Sequence, residues 1–201
     1  MIAGPNGSGK STLIAALRAD PRFDLPELYV NADDLQRERG LADARQAQQL
    51  ANEQRAEAVA QRRDVMYETV MSHPSKIAEL RAAKQAGYHI TVLLVATNDP
   101  DINVRRVRLR VAALGHDVPE DRIRGRYTRT LALAPAALAL ADQAFVFDNS
   151  NSGETGLGLS QQAVLMDGRL IPARDETSPW VARLIDQVNA NGQATTAHPA
   201  P

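Results

Sequence analysis

The sequence predicts an α/β fold, three layers deep, with a mainly parallel sheet. Three observations predict it. A glycine-rich stretch, GPNGSGKST at residues 4–12, runs straight into a helix-favouring segment. Short β-favouring runs then alternate with helical ones, the pattern of a parallel sheet wrapped by its own crossovers. Finally, YHITVLLVAT at residues 88–97 is a near-continuous apolar run, as expected of a strand covered on both faces.

Residues 4–12 fit G-x-x-x-x-G-K-[ST], with Gly4, Gly9, Lys10 and Ser11 in the fixed places. Glycines leave backbone N–H groups free to converge on an anion. Together with Pro5, Asn6, Gly7, Ser8 and Thr12 they form the candidate phosphate cradle. Lys10 would reach the β- and γ-phosphates and the Ser11 hydroxyl would ligate Mg²⁺. ATP and Mg²⁺ are therefore the expected cofactors, and the fold class narrows to a P-loop NTPase or kinase-like one. The following helix, STLIAALRAD, turns its positive end toward the phosphates. Only Met1, Ile2 and Ala3 precede the loop, so either the chain starts late or the strand feeding the loop is very short.

Further along, ELYVNADDL reads as a strand ending near Asn31 and then a helix start. Residues 41–63, rich in Ala, Gln and Arg, favour helix with a thin apolar stripe. DVMYETVM is a candidate strand and PSKIAELRAAKQAG a helix stopped at Gly87. Two arginine-bearing helices at about 102–114 and 119–141 follow, and the second contributes a helical lid. QAFVFDNS is another strand, and NSGETGLGLS at 151–160 a flexible loop. AVLMDGRLI reads as a hairpin across Asp167-Gly168. SPWVARLIDQV makes a final helix, with Ser178 as N-cap and Pro179 at its first position.

The 201 residues suit a single domain over 1–190, with 191–201 expected to be a disordered tail. A net charge of -1 gives no global reason for nucleic-acid or membrane-surface binding. With no cysteine, disulfides, thiolate metal sites and cysteine catalysis are excluded. The four histidines show no i, i+4 pairing for a metal. No apolar run approaches a membrane span, and the N-terminus lacks a signal peptide's pattern. A cytoplasmic protein is expected.

In an open α/β sheet, the loops after parallel strands share one edge, where ligands bind. That places Asp33 and Asp34 beside the phosphate loop. Asp33 is the candidate base for an attacking hydroxyl, the role phosphoryl transfer demands of a carboxylate; helix N-capping is the competing reading for both aspartates. Glu68 and Thr69 end the next strand on the same edge and are candidate substrate contacts, or simply a polar strand end. Eight arginines (105, 106, 108, 110, 122, 124, 126 and 129) crowd into 25 residues. Arg122, Arg126 and Arg129 share one helix face, and Arg106 and Arg110 are similarly paired. One or two would neutralise a migrating phosphoryl group. The rest suit a solvated face paired with Glu120 and Asp121. A nucleic-acid patch fits less well, since Tyr127 is the only aromatic in that stretch.

Taken together, AGPNGSGKST, NADD, ETVMS, AGYHITVLLVAT, RRVRLRV…GHDVPEDRIRGRY and FVFDNS resemble the zeta toxin family of P-loop kinases, from Ile2 to about Ser150. The resemblance implies an ATP-dependent kinase that phosphorylates a sugar hydroxyl of UDP-N-acetylglucosamine and is blocked by a cognate antitoxin. It implies Lys10 and Ser11 at the ATP and Mg²⁺ site, and Asp33 as base. It puts Glu68 and Thr69 in the substrate-contacting segment, with Thr97 after the central strand as a further substrate contact. Arg106 and Arg110, or Arg126 and Arg129, would clamp phosphate. The chain is shorter than the well-known toxins and lacks much of their helical elaboration. Two alternatives are an ATPase that couples hydrolysis to conformational change, and a polynucleotide-directed P-loop enzyme. The first predicts an apolar strand ending in Asp or Asp-Glu, whereas TVLLVATND breaks at Thr97-Asn98.

Overall fold

The computed structural model describes residues 1–112, 118–151 and 158–196. Seven strands form one sheet in the order β2-β3-β1-β4-β5-β6-β7. These are β1 (Ile2–Ala3), β2 (Leu28–Val30), β3 (Val65–Thr69), β4 (Thr91–Ala96), β5 (Gln143–Asp148), β6 (Ser160–Met166) and β7 (Arg169–Pro172). The first five are mutually parallel, and β6 and β7 add antiparallel. The β6–β7 turn has positive φ at both Asp167 and Gly168, the backbone a two-residue hairpin loop needs.

Brief as it is, β1 lies at the centre, hydrogen-bonded to β3 on one side and β4 on the other. Its pairing is extended at both ends. The Met1 carbonyl accepts from the Leu93 N–H at 2.9 Å, and the Gly4 N–H donates to Thr69 at 3.2 Å. The phosphate loop is thereby anchored to the two strands whose ends bear the other candidate residues.

Strand alternation divides the side chains between the faces. Ile2 and Met66 pack with Ile14 of α1 (Lys10–Ala19) on one face, beside Tyr29 and Leu93. Ala3, Leu94, Ala96, Ala144 and Val146 face the other way, under α4 (Ser75–Gln85), α6 (Glu120–Leu140) and α7 (Pro179–Thr196). Val30 joins Leu35 and Ala51 of α2 (Ala32–Glu38) and α3 (Ala44–Ala60). The thin stripe of α3 is buried alanine at 47, 51 and 58, interrupted by Arg55. That arginine lies over the Tyr67 ring and pairs with Glu79 at 3.2 Å, which lets a cation sit where only 6% of the residue is exposed.

Helix α5 (Pro100–Ala112) packs against α6 through Val104, Val107 and Ile123. The part of the expected first arginine helix beyond Ala112 and most of the glycine-rich 151–160 loop lie outside the described residues. Helix α7 continues to Thr196, past the expected boundary at 190. Residues 197–201 of the expected tail lie outside the described residues. Among the described residues, no helix is long and apolar enough to cross a membrane.

Candidate active site

The loop from Gly4 to α1 ends at Gly9, whose φ of 102° is accessible at low cost only to glycine. No side chain caps α1. The first N–H groups of that helix thus face the loop's concavity, the arrangement that binds phosphate oxygens. Lys10 folds back across the loop and donates to the carbonyls of Gly4 (2.9 Å) and Pro5 (3.1 Å). Burial pulls its ammonium below the ordinary lysine value; Glu68 and Asp33 push it back up, while Arg110 and Arg126 lower it further. These causes map the site: two carboxylates and two arginines lie close enough to Lys10 for their charges to act on it.

Asp33 stands in the first turn of α2, and the helix is capped by a different residue. The Asn31 side chain accepts the Asp33 N–H at 2.9 Å. Asp34 is drawn to Arg37 at 3.1 Å. The Asp33 carboxylate is exposed and its charge is felt by both Lys10 and Arg126. The capping reading of Asp33 and Asp34 therefore fails, because Asn31 occupies that position.

Glu68 and Thr69 do not act as a pair, since adjacent strand residues point to opposite faces. Glu68 turns toward α1, where Ser11 donates to it at 3.2 Å and the Tyr29 hydroxyl at 2.6 Å. Partial burial, then Glu68, pushes the Tyr29 phenol above its ordinary value, so it serves as a hydrogen-bond donor. Thr69 turns the other way. Its Oγ1 accepts the N–H of Met71 at 3.0 Å, holding that buried residue at a φ of 53°. The same turn is gripped from α6, where Thr130 donates to the Val70 carbonyl (2.6 Å) and Arg129 Nε to Ser72 (3.2 Å).

Thr97, expected to touch substrate, requires correction. It is 0% exposed. Its hydroxyl is committed to the Asp99 carbonyl at 3.1 Å and to Asn103 Oδ1, and its carbonyl accepts from the Tyr127 hydroxyl at 2.6 Å. It braces the loop's supports and does not face a ligand.

The expected arginines separate. Arg126, half-buried in α6, donates to the Asn6 side chain at 3.2 Å. Burial lowers it from the ordinary value, Arg122 and Arg129 add to that, and Asp33 opposes. Arg110, on α5, acts on Lys10. Arg106 donates to the Asn149 carbonyl at 2.7 Å, and Arg129 reaches the turn after β3. Arg108 and Arg124 are engaged by Glu120 and Arg124 also by Asp101, the solvated ion-pair role expected for most of the eight.

Two asparagines went unnoticed in the sequence. Asn149 is 2% exposed and donates to the Ser8 carbonyl at 2.8 Å. Asn103 is 0% exposed and donates to the Asn6 carbonyl at 2.6 Å. A signal existed for Asn103, a polar residue on the apolar 103, 104, 107 stripe of α5. For Asn149, within FVFDNS, nothing separated a loop support from a turn residue.

Comparison with known proteins decides the family. The zeta toxin family model matches residues 1–152. The chain belongs to the zeta toxin family. As a member it is a kinase-type P-loop enzyme. An uncharacterized protein of Haemophilus influenzae is 27% identical over 128 residues, 62% of this chain and 88% of that protein. Among solved structures, AvrRxo1-ORF1:-ORF2 with ATP superposes with a TM-score of 0.65 at 14% identity, over 93% of this chain. This chain spans 62% of the length of that one. The PezAT chromosomal toxin–antitoxin system of Streptococcus pneumoniae superposes with a TM-score of 0.56 at 15% identity, over 98% of this chain and 87% of that one. At such identities the likeness establishes the fold, here the kinase-like P-loop architecture.

Proposed function

We propose that this zeta toxin family member transfers the γ-phosphate of ATP to a hydroxyl of a nucleotide sugar, with UDP-N-acetylglucosamine the favoured acceptor. One observation carries the reading. An exposed carboxylate, Asp33, and two arginines, Arg110 and Arg126, lie near enough to Lys10 of the phosphate loop for their charges to act on it, and Arg126 also hydrogen-bonds the loop at Asn6. A carboxylate and two guanidiniums around the loop lysine suit a transfer in which a hydroxyl loses its proton while charge gathers on equatorial phosphate oxygens.

In this reading the loop amides and the start of α1 hold the phosphates, and Lys10 leaves the Gly4 and Pro5 carbonyls for phosphate oxygens. Asp33 accepts the acceptor's proton. Arg126 and Arg110 balance the developing charge, an electrostatic contribution fixed before the reaction begins. Ser11 and Glu68 offer the hard oxygen donors that suit Mg²⁺. Among the described residues no cluster of three acidic or histidine side chains could hold a metal. The ion, when bound, would neutralise phosphate charge and rely on waters and phosphate for its remaining ligands. The turn after β3, held by Thr69, Thr130 and Arg129, is suited to shape the acceptor side of the cleft. By the same reading the protein acts in the cytoplasm as a toxin silenced by a cognate antitoxin. The fold likeness to PezAT, a toxin–antitoxin system, supports that partner class.

The test incubates purified protein with γ-labelled ATP, Mg²⁺ and UDP-N-acetylglucosamine, beside an Asp33→Ala control. Label is expected on the sugar nucleotide with the wild-type protein alone, while the control keeps its ATP affinity. Undiminished turnover in Asp33→Ala would remove Asp33 as base. Hydrolysis without labelled sugar would redirect the search to another acceptor.

A further inference from the structure

We propose that Asn6 is a positioning residue whose side-chain carbonyl holds Arg126 of α6 over the phosphate loop before substrate arrives. The proposal rests on the phosphotransfer reading for its kinetic consequence, though not for its geometry. Within the G-x-x-x-x-G-K-[ST] pattern Asn6 is one of the four unspecified positions, so the motif assigns its side chain nothing.

The geometry begins with the backbone of Asn6, which is fixed from below. Its carbonyl receives Asn103 Nδ2 at 2.6 Å, and Asn103 is fully buried with its own side-chain oxygen taken by the Thr97 hydroxyl. The next residue, Gly7, sits at a φ of 73° with the Asn103 carbonyl 2.7 Å from where a Cβ would stand. The loop tip is thus packed against α5. Its carboxamide is aimed at α6, where Oδ1 accepts from Arg126 Nη1 at 3.2 Å. Helix α6 is itself tied to the P-loop's surroundings, because Tyr127, next to Arg126, donates to the Thr97 carbonyl at 2.6 Å. Thr97 therefore supports both ends of the contact, through Asn103 to the loop and through Tyr127 to the helix.

An arginine side chain loses rotamer freedom when it is ordered. If Arg126 is already held by one N–H, that loss occurs on folding and not during phosphoryl transfer. The hold uses a neutral amide oxygen. A charge-assisted bond of this kind is strong enough to orient a guanidinium, yet it leaves the other four donors and the full positive charge for phosphate. A carboxylate at residue 6 would neutralise Arg126 and repel phosphate from the loop.

The experiment measures the rate at which phenylglyoxal modifies Arg126, located by peptide mass spectrometry, in wild type, Asn6→Ala and Asn6→Asp. Asn6→Ala is expected to react about threefold or more faster, and Asn6→Asp more slowly than wild type, because removing or charging the acceptor changes the donor's freedom in opposite directions. Kinetics supply the second readout. Asn6→Ala should lower kcat about tenfold while leaving the ATP KM within about twofold. In an Arg126→Ala background, Asn6→Ala should cost nothing more. Unchanged Arg126 reactivity in Asn6→Ala overturns the proposal, as do multiplicative losses in the double variant. Should the wild-type protein phosphorylate none of the acceptors tried, the phosphotransfer reading fails, while the modification rates still decide whether Asn6 holds Arg126.

Discussion

Replacing Gly9 by alanine tests how tightly the phosphate loop is fitted to its supports. At a φ of 102° an L-residue is strained, by about 1–2 kcal/mol. The new Cβ would also stand 2.2 Å from Asn149 Nδ2, an approach no real pair of atoms keeps. Asn149 cannot swing into solvent. It is 2% exposed, and the same nitrogen donates to the Ser8 carbonyl at 2.8 Å. Retreating by about 1 Å takes that bond outside hydrogen-bonding range and costs about 1–2 kcal/mol more. The expected destabilisation is therefore about 2–4 kcal/mol, a drop in the urea midpoint of about 1–2 M at an ordinary slope. ADP affinity, measured by calorimetry, should fall with it. The Gly9→Ala/Asn149→Ala pair separates clash from strain. With the opposing amide gone, the double variant should lose about 1 kcal/mol or more less than the two single losses combined. A Gly9→Ala protein with an unchanged midpoint and unchanged ADP affinity would refute the reasoning.

Glu68→Gln keeps the shape that receives Ser11 and Tyr29 but removes the charge. The Mg²⁺ concentration for half-maximal ADP binding should rise about tenfold, as expected when a hard anionic donor is lost. Unaltered Mg²⁺ dependence with weakened acceptor binding would instead return Glu68 to the acceptor side. Trp180→Phe removes the indole N–H that donates to buried Asp148 at 2.5 Å. It should cost about 2–3 kcal/mol in urea unfolding, the range for a bond to a charged group; a change within about 0.5 kcal/mol would show that Ser150, which donates to the other oxygen, suffices. The Met1 amine donates to the Thr91 carbonyl at 2.8 Å, and burial lowers its pKa from the ordinary value of 8.0 to about 5. Between those values the unfolded chain binds a proton that the folded one does not. Stability should therefore rise with pH across that window and be independent of this group above and below it. Acetylating Met1 should flatten the profile, and an identical slope in the acetylated protein would assign it elsewhere.

The strands and helices were legible because local signals agreed with the global pattern. The Gly87 stop after α4, the apolar run of β4 and the Asp167-Gly168 turn each marked an element without tertiary help. The candidate site was legible as far as charge and motif reach: Ser11 and Glu68 share a hydrogen bond, and Glu68, Asp33 and Arg126 act on Lys10. The misreadings have a common cause. Thr97 sits at the end of a central strand, where a hydroxyl can face ligand or protein, and the choice depends on Asn103, six residues on. Glu68 and Thr69 are neighbours in sequence and opposites in space, so a segment that reads as one contact serves two. Arg126 and Arg129 share a helix face, yet one reaches Asn6 and the other Ser72. None of these outcomes depends on residue type alone.

The choice of asparagine at three supporting positions has a physical logic. Asn31 uses an amide where an acid would also serve as the cap, whereas Asn103 and Asn149 use an amide as a donor, which a carboxylate cannot be. At Asn31 an aspartate would cap α2 equally well, but it would put a second negative charge within reach of Asp33 and compete with it for the proton. At Asn103 and Asn149 the donor is what matters, since each hands an N–H to a loop carbonyl. The Asn6 and Ser8 carbonyls are thereby satisfied by the scaffold. The asparagines add no charge of their own beside Lys10, on which Asp33, Glu68, Arg110 and Arg126 already act. An acid substituted at either buried asparagine would reverse the donor and bring a carboxylate against a carbonyl, harming the loop more than alanine at the same place would.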